Sequence, residues 1–408
     1  MPRKNNNASK HDKQNKSTQK SSTQNKNLQT QKLQGKNLHS KNTQDKDLQA
    51  LRSQIDTIDE KILNLLESRL HIVTQIGKAK IQNKASIYRP EREREIIKRL
   101  SAHKLAHLNT SAIEAIYHEI FAISRNLELP EKVAYLGPLG SYTHQAAAKR
   151  FGALSQYLPI NNISAIFKTL QSAQAKYGVV PIENNTNGVV GETIDNLANS
   201  SLKIIAEIIL PIHHSFASLC ENLSQIKRIY SKDIAFGQCD SFINAHNLLH
   251  LEQIPTESTA KAAQLAKADK QSAAICSQIA AKIYEIPIMF SNVQNHSGNK
   301  TRFVIISDFS NERSGNDKTS IFATLKGFEK SGTLLKFLKD FEDAKINLTK
   351  IDSRPVRSSS TTSQSKKGDF SSGFYIDFDG HRDDEKVAEI LEKWSGQVKW
   401  LGSYPKMD

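Results

Sequence analysis

Six consecutive residues, Glu183-Asn184-Asn185-Thr186-Asn187-Gly188, gather one carboxylate, three carboxamides, a hydroxyl and a glycine directly after the apolar run Val179-Val180-Pro181-Ile182. Such a set offers acceptors, amide donors and a hydroxyl to a compact, oxygen-rich molecule. In open α/β sheets, ligands bind where strands end and loops carry polar groups into the crevice. A helix-like segment, Gly191 to Leu197, follows at once. Asn and Thr also favour N-caps, so the loop taken alone fits a capped helix start equally well.

Four further polar clusters stand at the ends of strand-like runs. They are Gly140-Ser141-Tyr142-Thr143, Ser231 with Gln238-Cys239, Glu257-Ser258-Thr259, and Asn299-Lys300-Thr301-Arg302-Phe303. Each by itself is a turn with an N-cap. Five around one predicted cleft point to a ligand site. The turn Gly137 to Thr143 lacks the GxGxxG spacing of a dinucleotide site.

A second constellation is cationic. Leu48, Leu51, Ile55, Ile58, Ile62 and Leu65 recur at spacings of three and four, and the same count passes through Arg69, Ile72 and Ile76 to Ala79 or Lys80. Arg69 thus sits at a core position with Lys80 on the extension. Each needs an anion, structural or a ligand's. Tyr88-Arg89-Pro90-Glu91-Arg92-Glu93 opens a second helix, with Pro90 suited to a first turn. A third, from about Thr110, shows Ile113, Ile116, Ile120, Ser124 and Leu127 on one face, and Glu128 lies four residues beyond Ser124. These groups can converge on a dianion or form salt bridges inside a helical bundle.

The elements that must position these groups fall into three folded segments. The heptad-like stripe predicts a long helix packing against other helices over 46–129. Over 132–308, short apolar runs alternate with helical stretches. The strands expected are Tyr177 to Ile182, Lys203 to Leu210, Phe216 to Leu219, Arg228 to Tyr230, Ala273 to Cys276 and Arg302 to Ile306. The helices expected are Ser164 to Ser172, Phe236 to Leu249, Ala260 to Ala268 and Ser277 to Tyr284. That alternation predicts a two-lobed α/β domain with a cleft, periplasmic-binding-protein-like in plan. Over 317–405 the order is βαββαβ, the ferredoxin-like pattern, with a Ser/Thr/Lys-rich hairpin loop from Arg357 to Gly373.

The net charge of +14 is uneven: residues 1–50 hold 11 Lys/Arg against 3 Asp. A segment so poor in apolar residues cannot offset its ordering entropy, so residues 1–45 are expected to be a disordered basic tail. No aromatic residues interleave its lysines, which argues against nucleic-acid binding. No apolar run suits a signal peptide or a membrane span. Cys220, Cys239 and Cys276 lie far apart, without CxxC, as expected of a reducing cytoplasm. The histidines show no metal-ligand spacing, and neither metal nor cofactor is expected.

Several strings carry a resemblance. LRSQIDTIDEKILNLLESRL, GKAK, YRPERE and SRNLE resemble the all-helical chorismate mutase family. The resemblance implies that Arg52, Arg69 and Arg92 hold the carboxylates of chorismate. It puts Lys80 at the ether oxygen and Glu93 at the hydroxyl, with Ser124 and Glu128 completing the site. It also implies a dimer, with Arg52 reaching into the partner's site. Arg89 stands where some members carry an acid, and Glu128 where some carry Gln. AYLGPLGSYTHQAA, VVPIENNTNG, IYSKDIAFGQC, TESTAKAA and NKTRFVII resemble prephenate dehydratase. The implied contacts with prephenate come from Ser141, Thr143, Glu183, Asn184, Ser231, Gln238, Thr259, Thr301 and Arg302, with Thr301 central. A threonine hydroxyl is too weak an acid to give up its proton outright, so Thr301 is expected to be a positioned donor or relay, with Glu183 a proton source. Lys232-Asp233 replaces a His-Pro pair. SGTL and DSRP are similar to motifs of ACT regulatory domains. They imply L-phenylalanine between Gly332-Thr333-Leu334 of one chain and Asp352-Ser353-Arg354 of its partner, giving feedback inhibition in a homodimer or larger homo-oligomer.

The implied whole is a bifunctional enzyme turning chorismate into phenylpyruvate. Its alternatives are a dehydratase with an inactive mutase bundle and an amino-acid-sensing binding protein without catalysis. Only a protonated Glu128 can donate to an ether oxygen. Glu128→Gln is therefore expected to move the mutase optimum to higher pH. An unchanged rate–pH profile would refute that role.

Overall fold

The computed structural model describes residues 47–79, 90–103, 105–128, 132–152, 155–327, 330–356 and 371–406. The expected tail over 1–45, Lys80, Arg89 and most of the loop expected over 357–373 lie outside them. Two compact units make up the chain, Met1–Ile72 and Val73–Asp408.

Among the described residues, 47 to 79 are helical and form α1. Its apolar stripe is open to solvent in the single chain: Leu51 and Ile55 are each 56% exposed and Leu65 is 71% exposed. In the second unit, α2 (Pro90–Ser101) and α3 (Thr110–Glu128) follow, with Pro90 as the first helical residue. Gly77 lies so close to α3 that a Cβ there would stand 2.9 Å from the Cα of Glu128.

The next elements are β1 (Lys132–Leu136), α4 (Tyr142–Phe151), β2 (Gln156–Ile160), α5 (Ile163–Gln171), β3 (Tyr177–Asn184), β4 (Gly188–Val189), α6 (Gly191–Asn199) and β5 (Lys203–Pro211). The chain then enters a second lobe through β6 (Ser215–Ser218), β7 (Arg228–Ser231), α7 (Asp233–Gln238), α8 (Asp240–Ala245), β8 (Glu252–Pro255), α9 (Thr259–Ala268), β9 (Ser272–Cys276), α10 (Gln278–Ile283) and β10 (Ile288–Ser291). It returns to the first lobe as β11 (Lys300–Ser307). The first sheet runs β2-β1-β3-β11-β5 with β4 on β3, and the second runs β10-β6-β9-β7-β8. The two crossover segments lie side by side. The Ile212 N–H donates to the Asn299 carbonyl at 2.8 Å, and the Val293 N–H to the His214 carbonyl at 2.9 Å.

All six expected strands of this region are present, each within two residues of its predicted ends. The structure corrects two expectations. The helix expected over Phe236 to Leu249 is two short helices broken at Cys239. The strands β2, β8 and β10, not anticipated, are all sheet edges, where half-buried, mixed residues blur the period-two signal.

The C-terminal region comprises β12 (Asp317–Ala323), α11 (Thr333–Asp343), β13 (Leu348–Val356), β14 (Ser371–Asp379), α12 (Glu385–Lys393) and β15 (Val398–Pro405), with sheet order β13-β14-β12-β15. This antiparallel βαββαβ sheet packs on the first lobe. Phe322, Tyr375, Leu401 and Tyr404 join Val180, Ile182, Val304 and Ile306 in one hydrophobic cluster. At Gly402, a Cβ would fall 2.2 Å from the Ile204 carbonyl oxygen, so only glycine lets β15 approach β5 this closely.

Charges are buried at the same seam. Arg302 Nε donates to Glu207 at 2.8 Å, Nη1 to Asp377 at 2.6 Å and Nη2 to the Tyr404 hydroxyl at 2.8 Å. Lys318 Nζ completes Glu207 at 2.8 Å, and Ser320 donates to Asp377 at 2.6 Å. Removing one partner of a buried pair strands the other's charge. Arg302→Met is therefore expected to cost about 3–5 kcal/mol of stability, measured by equilibrium denaturation of the intact chain. A loss under about 1 kcal/mol, the scale of an exposed pair, would refute this.

Candidate active site

Thr301, the second residue of β11, lies opposite Asn184 at the end of β3, while Arg302 lies opposite Glu183. Neighbouring residues on a strand face opposite sides, and the chain uses this to separate two jobs. Asn184 Nδ2 donates to Thr301 Oγ1 at 2.9 Å and to Asn299 Oδ1 at 2.8 Å. Asn184 Oδ1 accepts the backbone N–H groups of Thr186 and Asn187, both at 3.0 Å. The carboxamide is thereby fixed, because its oxygen must meet the two N–H groups and its amine must face Thr301. Thr301 Oγ1 is an acceptor in this arrangement, and its own proton has no acceptor among the described residues. It is free for a ligand.

The other face carries two of the expected contact residues. Arg302 points away from this pair into the seam with the C-terminal sheet. Glu183 points the same way: its carboxylate accepts from Lys350 Nζ at 2.6 Å and lies 3.8 Å from Arg302 Nη1. A register shift between Arg302 and Phe303 in the β11–β3 ladder accounts for this, since an extra residue in β3 re-aims its neighbours. Asn184 and Thr301 come together; Glu183 and Arg302 do not join them.

Two serines are also used structurally. Ser141 caps α4, accepting from the His144 N–H at 3.2 Å and donating to the Leu136 carbonyl at 2.9 Å. Ser231 is fully buried and donates to the Ile275 carbonyl at 2.8 Å, tying β7 to β9. Neither has a proton left for a ligand. Thr143 and Thr259 are buried in the first turns of α4 and α9. Those turns meet at the lobe junction, where a Cβ on Gly140 would stand 3.6 Å from that of Ala260. Ser277 Oγ also donates to the Gly140 carbonyl at 2.9 Å, joining the lobes.

Gln238 reaches this junction through a residue that sequence reasoning set aside. His214 is buried on the crossover after β5. Its Nε2 lies 2.9 Å from Gln238 Oε1, and its Nδ1 lies 3.0 Å from the Tyr142 hydroxyl. Burial lowers the His214 pKa, opposed by the Gln238 bond and aided by His213, so the ring is neutral. Burial pushes the Tyr142 phenol well above its ordinary value, with Cys276 and Cys239 adding to the shift. The Cys239 and Cys276 thiols are both pushed up to about 12 by burial, which leaves no activated thiolate there. Among the described residues, no cluster of His, Cys, Asp or Glu is placed to hold a metal. No described helix is long and apolar enough to cross a membrane.

The cationic constellation is divided. Arg52 and Arg69 lie in the first unit, and Arg92, Glu93, Ser124 and Glu128 in the second. Arg92 is solvent-exposed and pairs with Glu95 at 2.5 Å. Glu93 is bonded to Arg125 of α3 and, at 3.2 Å, to Arg150 of α4, in an internal ion-pair network. Ser124 is buried and donates to the Ile120 carbonyl at 2.7 Å. Near the C-terminus, Gly332 has φ +85 ahead of α11, Thr333 donates to the Gly327 carbonyl at 2.7 Å, and Leu334 packs on the domain core. Asp352 and Ser353 lie on β13. The Arg354 guanidinium lies over Gly191 and 3.5 Å from Asp195 of its own chain.

Comparison with known proteins agrees with this organisation. The family profile for prephenate dehydratase matches residues 133–311, and that for chorismate mutase type II matches residues 51–129. The bifunctional chorismate mutase/prephenate dehydratase of Aquifex aeolicus is 39% identical over 87% of this chain and 97% of its own length. That of Pseudomonas aeruginosa is 34% identical over 88% and 97%. The crystal structure of the Arthrobacter aurescens prephenate dehydratase in complex with L-Phe matches 67% of this chain and 90% of its own, with 30% identity and a TM-score of 0.60. With a helical mutase region followed by an α/β dehydratase fold, the chain belongs to the bifunctional chorismate mutase/prephenate dehydratase family.

Proposed function

We propose that the chain rearranges chorismate to prephenate on its N-terminal helices and converts prephenate to phenylpyruvate at the Asn184–Thr301 pair, under control of L-phenylalanine. The first step is a unimolecular rearrangement needing no nucleophile. Cations hold both carboxylates of a chair-like conformer and stabilise the oxygen where charge develops. Arg52, Arg69 and Arg92 supply bidentate partners, with Lys80 and Glu128 at the ether oxygen.

In the second step the ring carboxylate leaves as carbon dioxide. Its bonding pair aromatises the ring and expels the hydroxyl, which takes up a proton as water. A threonine hydroxyl is too weak an acid to surrender its proton outright, so Thr301 acts as a positioned donor to the departing oxygen. The observation that carries this reading is the fixed Asn184 carboxamide, which makes Thr301 Oγ1 an acceptor and leaves its proton to the substrate. Gln238, Thr143 and Thr259 are the remaining contacts.

Two features support the regulatory part. The C-terminal sheet has the ferredoxin-like strand order, and the related Arthrobacter dehydratase binds L-Phe. The exposed apolar stripe of α1 is the kind of surface a second copy covers, which supports a homodimer. Phenylalanine then lies between Gly332-Thr333-Leu334 of one chain and Asp352-Ser353 of the other.

Purified chain given chorismate is expected to form prephenate and then phenylpyruvate, with the second product suppressed by phenylalanine. Asn184→Asp keeps both acceptor bonds of the loop but reverses the bond to Thr301, whose proton a carboxylate would take. Phenylpyruvate formation should fall on the order of 10²-fold while prephenate accumulates. Near-normal dehydratase turnover in that variant would remove Thr301 from the proposed role.

A further inference from the structure

The proposed contact of Gln238 with prephenate depends on which way its carboxamide faces, and α7 does not determine that. This helix is six residues long and breaks at Cys239. The orientation comes from His214. With the carboxamide oxygen 2.9 Å from Nε2, the neutral ring carries its proton on Nε2 and donates to Oε1. Nδ1 is left as an acceptor facing the Tyr142 hydroxyl, 3.0 Å away, whose single proton is shared between Nδ1 and the His213 carbonyl at 2.8 Å. The His214 backbone is held as well: its N–H donates to Gln294 Oε1 at 2.9 Å, and its carbonyl accepts from Val293. The imidazole is therefore fixed on both crossover segments, with Tyr142 of the first lobe on one nitrogen and Gln238 of the second lobe on the other. Gln238 Nε2 has no protein acceptor among the described residues.

We infer that His214 is a positioning residue for the dehydratase step: it turns the Gln238 amine toward prephenate and holds the two lobes in register across the junction. This rests on the proposed contact of Gln238 with prephenate. A ring that satisfies an amide oxygen leaves that amide only its donor end, the end a departing hydroxyl or a carboxylate of prephenate needs. Fixing the amide beforehand removes its reorientation from the barrier, and misplacing such a group by about 1 Å can cost on the order of 10²-fold in rate.

The test uses the full-length chain and follows phenylpyruvate formation from prephenate. His214→Leu is expected to lower kcat on the order of 10²-fold with a smaller change in KM. His214→Gln places an amide N–H where Nε2–H stood and should recover most of that loss. His214→Asn can only replace the acceptor toward Tyr142 and should not. In the double variant with Gln238→Ala, His214→Leu should add little to the loss from Gln238→Ala alone. Additive losses, or equal defects in the Gln and Leu variants, would overturn the inference. So would unchanged turnover in His214→Leu where Gln238→Ala is impaired. If Gln238→Ala itself turns over normally, the proposed prephenate contact fails and the inference falls with it. Thermal unfolding of each variant identifies any that merely fail to fold.

Discussion

The Arg302 guanidinium, clamped by Glu207, Asp377 and Tyr404, is the interaction on which the dehydratase geometry depends. The side chains of Glu207 and Asp377 are each only 1% exposed, and charges so placed persist only when paired and hydrogen-bonded. Burial opposes the charge on Arg302, yet Tyr404, Tyr375, Asp377 and Glu207 together keep it firmly protonated. The network ties β11 and β5 of the first lobe to β12, β14 and β15 of the C-terminal sheet. Thr301 is the preceding residue on β11. Once Arg302 is held on the seam, the pleat turns Thr301 to the opposite face, where Asn184 meets it.

The same pleat explains what could and could not be read from the sequence. The apolar runs of β3, β5 and β11 are long, buried and rich in Val and Ile, so their existence and approximate ends were legible. The mixed polarity of β2, β8 and β10 hid them. Asn184 and Thr301, which the structure brings together, stood out in the sequence because polar types at strand ends are informative. Their neighbours Glu183 and Arg302 belong to the same polar clusters, although alternation alone turns Arg302 to the face opposite Thr301. The position of Glu183 was not legible, since a register shift shows only when two strands are seen paired. Ser141 was legible as an N-cap from the helix that follows it. His214 could not be found locally, because its partners Tyr142 and Gln238 lie 72 and 24 residues away in the chain.

The C-terminal domain touches the loop from Glu183 to Gly191 directly. Lys350 and Arg354 both project from β13, which among the described residues pairs only with β14 and is an edge of its sheet. Lys350 holds Glu183 at the start of the loop, and Arg354 covers Gly191 at its end. The intervening turn is organised by the Asn184 carboxamide, the group that also sets Thr301. A displacement of β13 therefore reaches the Asn184–Thr301 bond through one residue on either side.

Magnitudes limit how such coupling can work. The Lys350–Glu183 pair is 20% and 27% exposed, and a pair so accessible to water contributes at most about 1 kcal/mol. Regulation by a distant ligand generally needs about 1–3 kcal/mol, or roughly 5- to 150-fold. That single pair falls at the bottom of the range, and a ligand acting through it alone would inhibit weakly. The larger reservoir is the seam beneath it, where Phe322, Tyr375, Leu401 and Tyr404 share a core with β3 and β11 and the Arg302 network is buried alongside. Close-packed interiors yield in discrete rearrangements, not gradual strain. Under the proposed regulation, effector binding therefore has to bias two packings of the C-terminal sheet against β11, with Lys350 and Arg354 steering the loop ends in each.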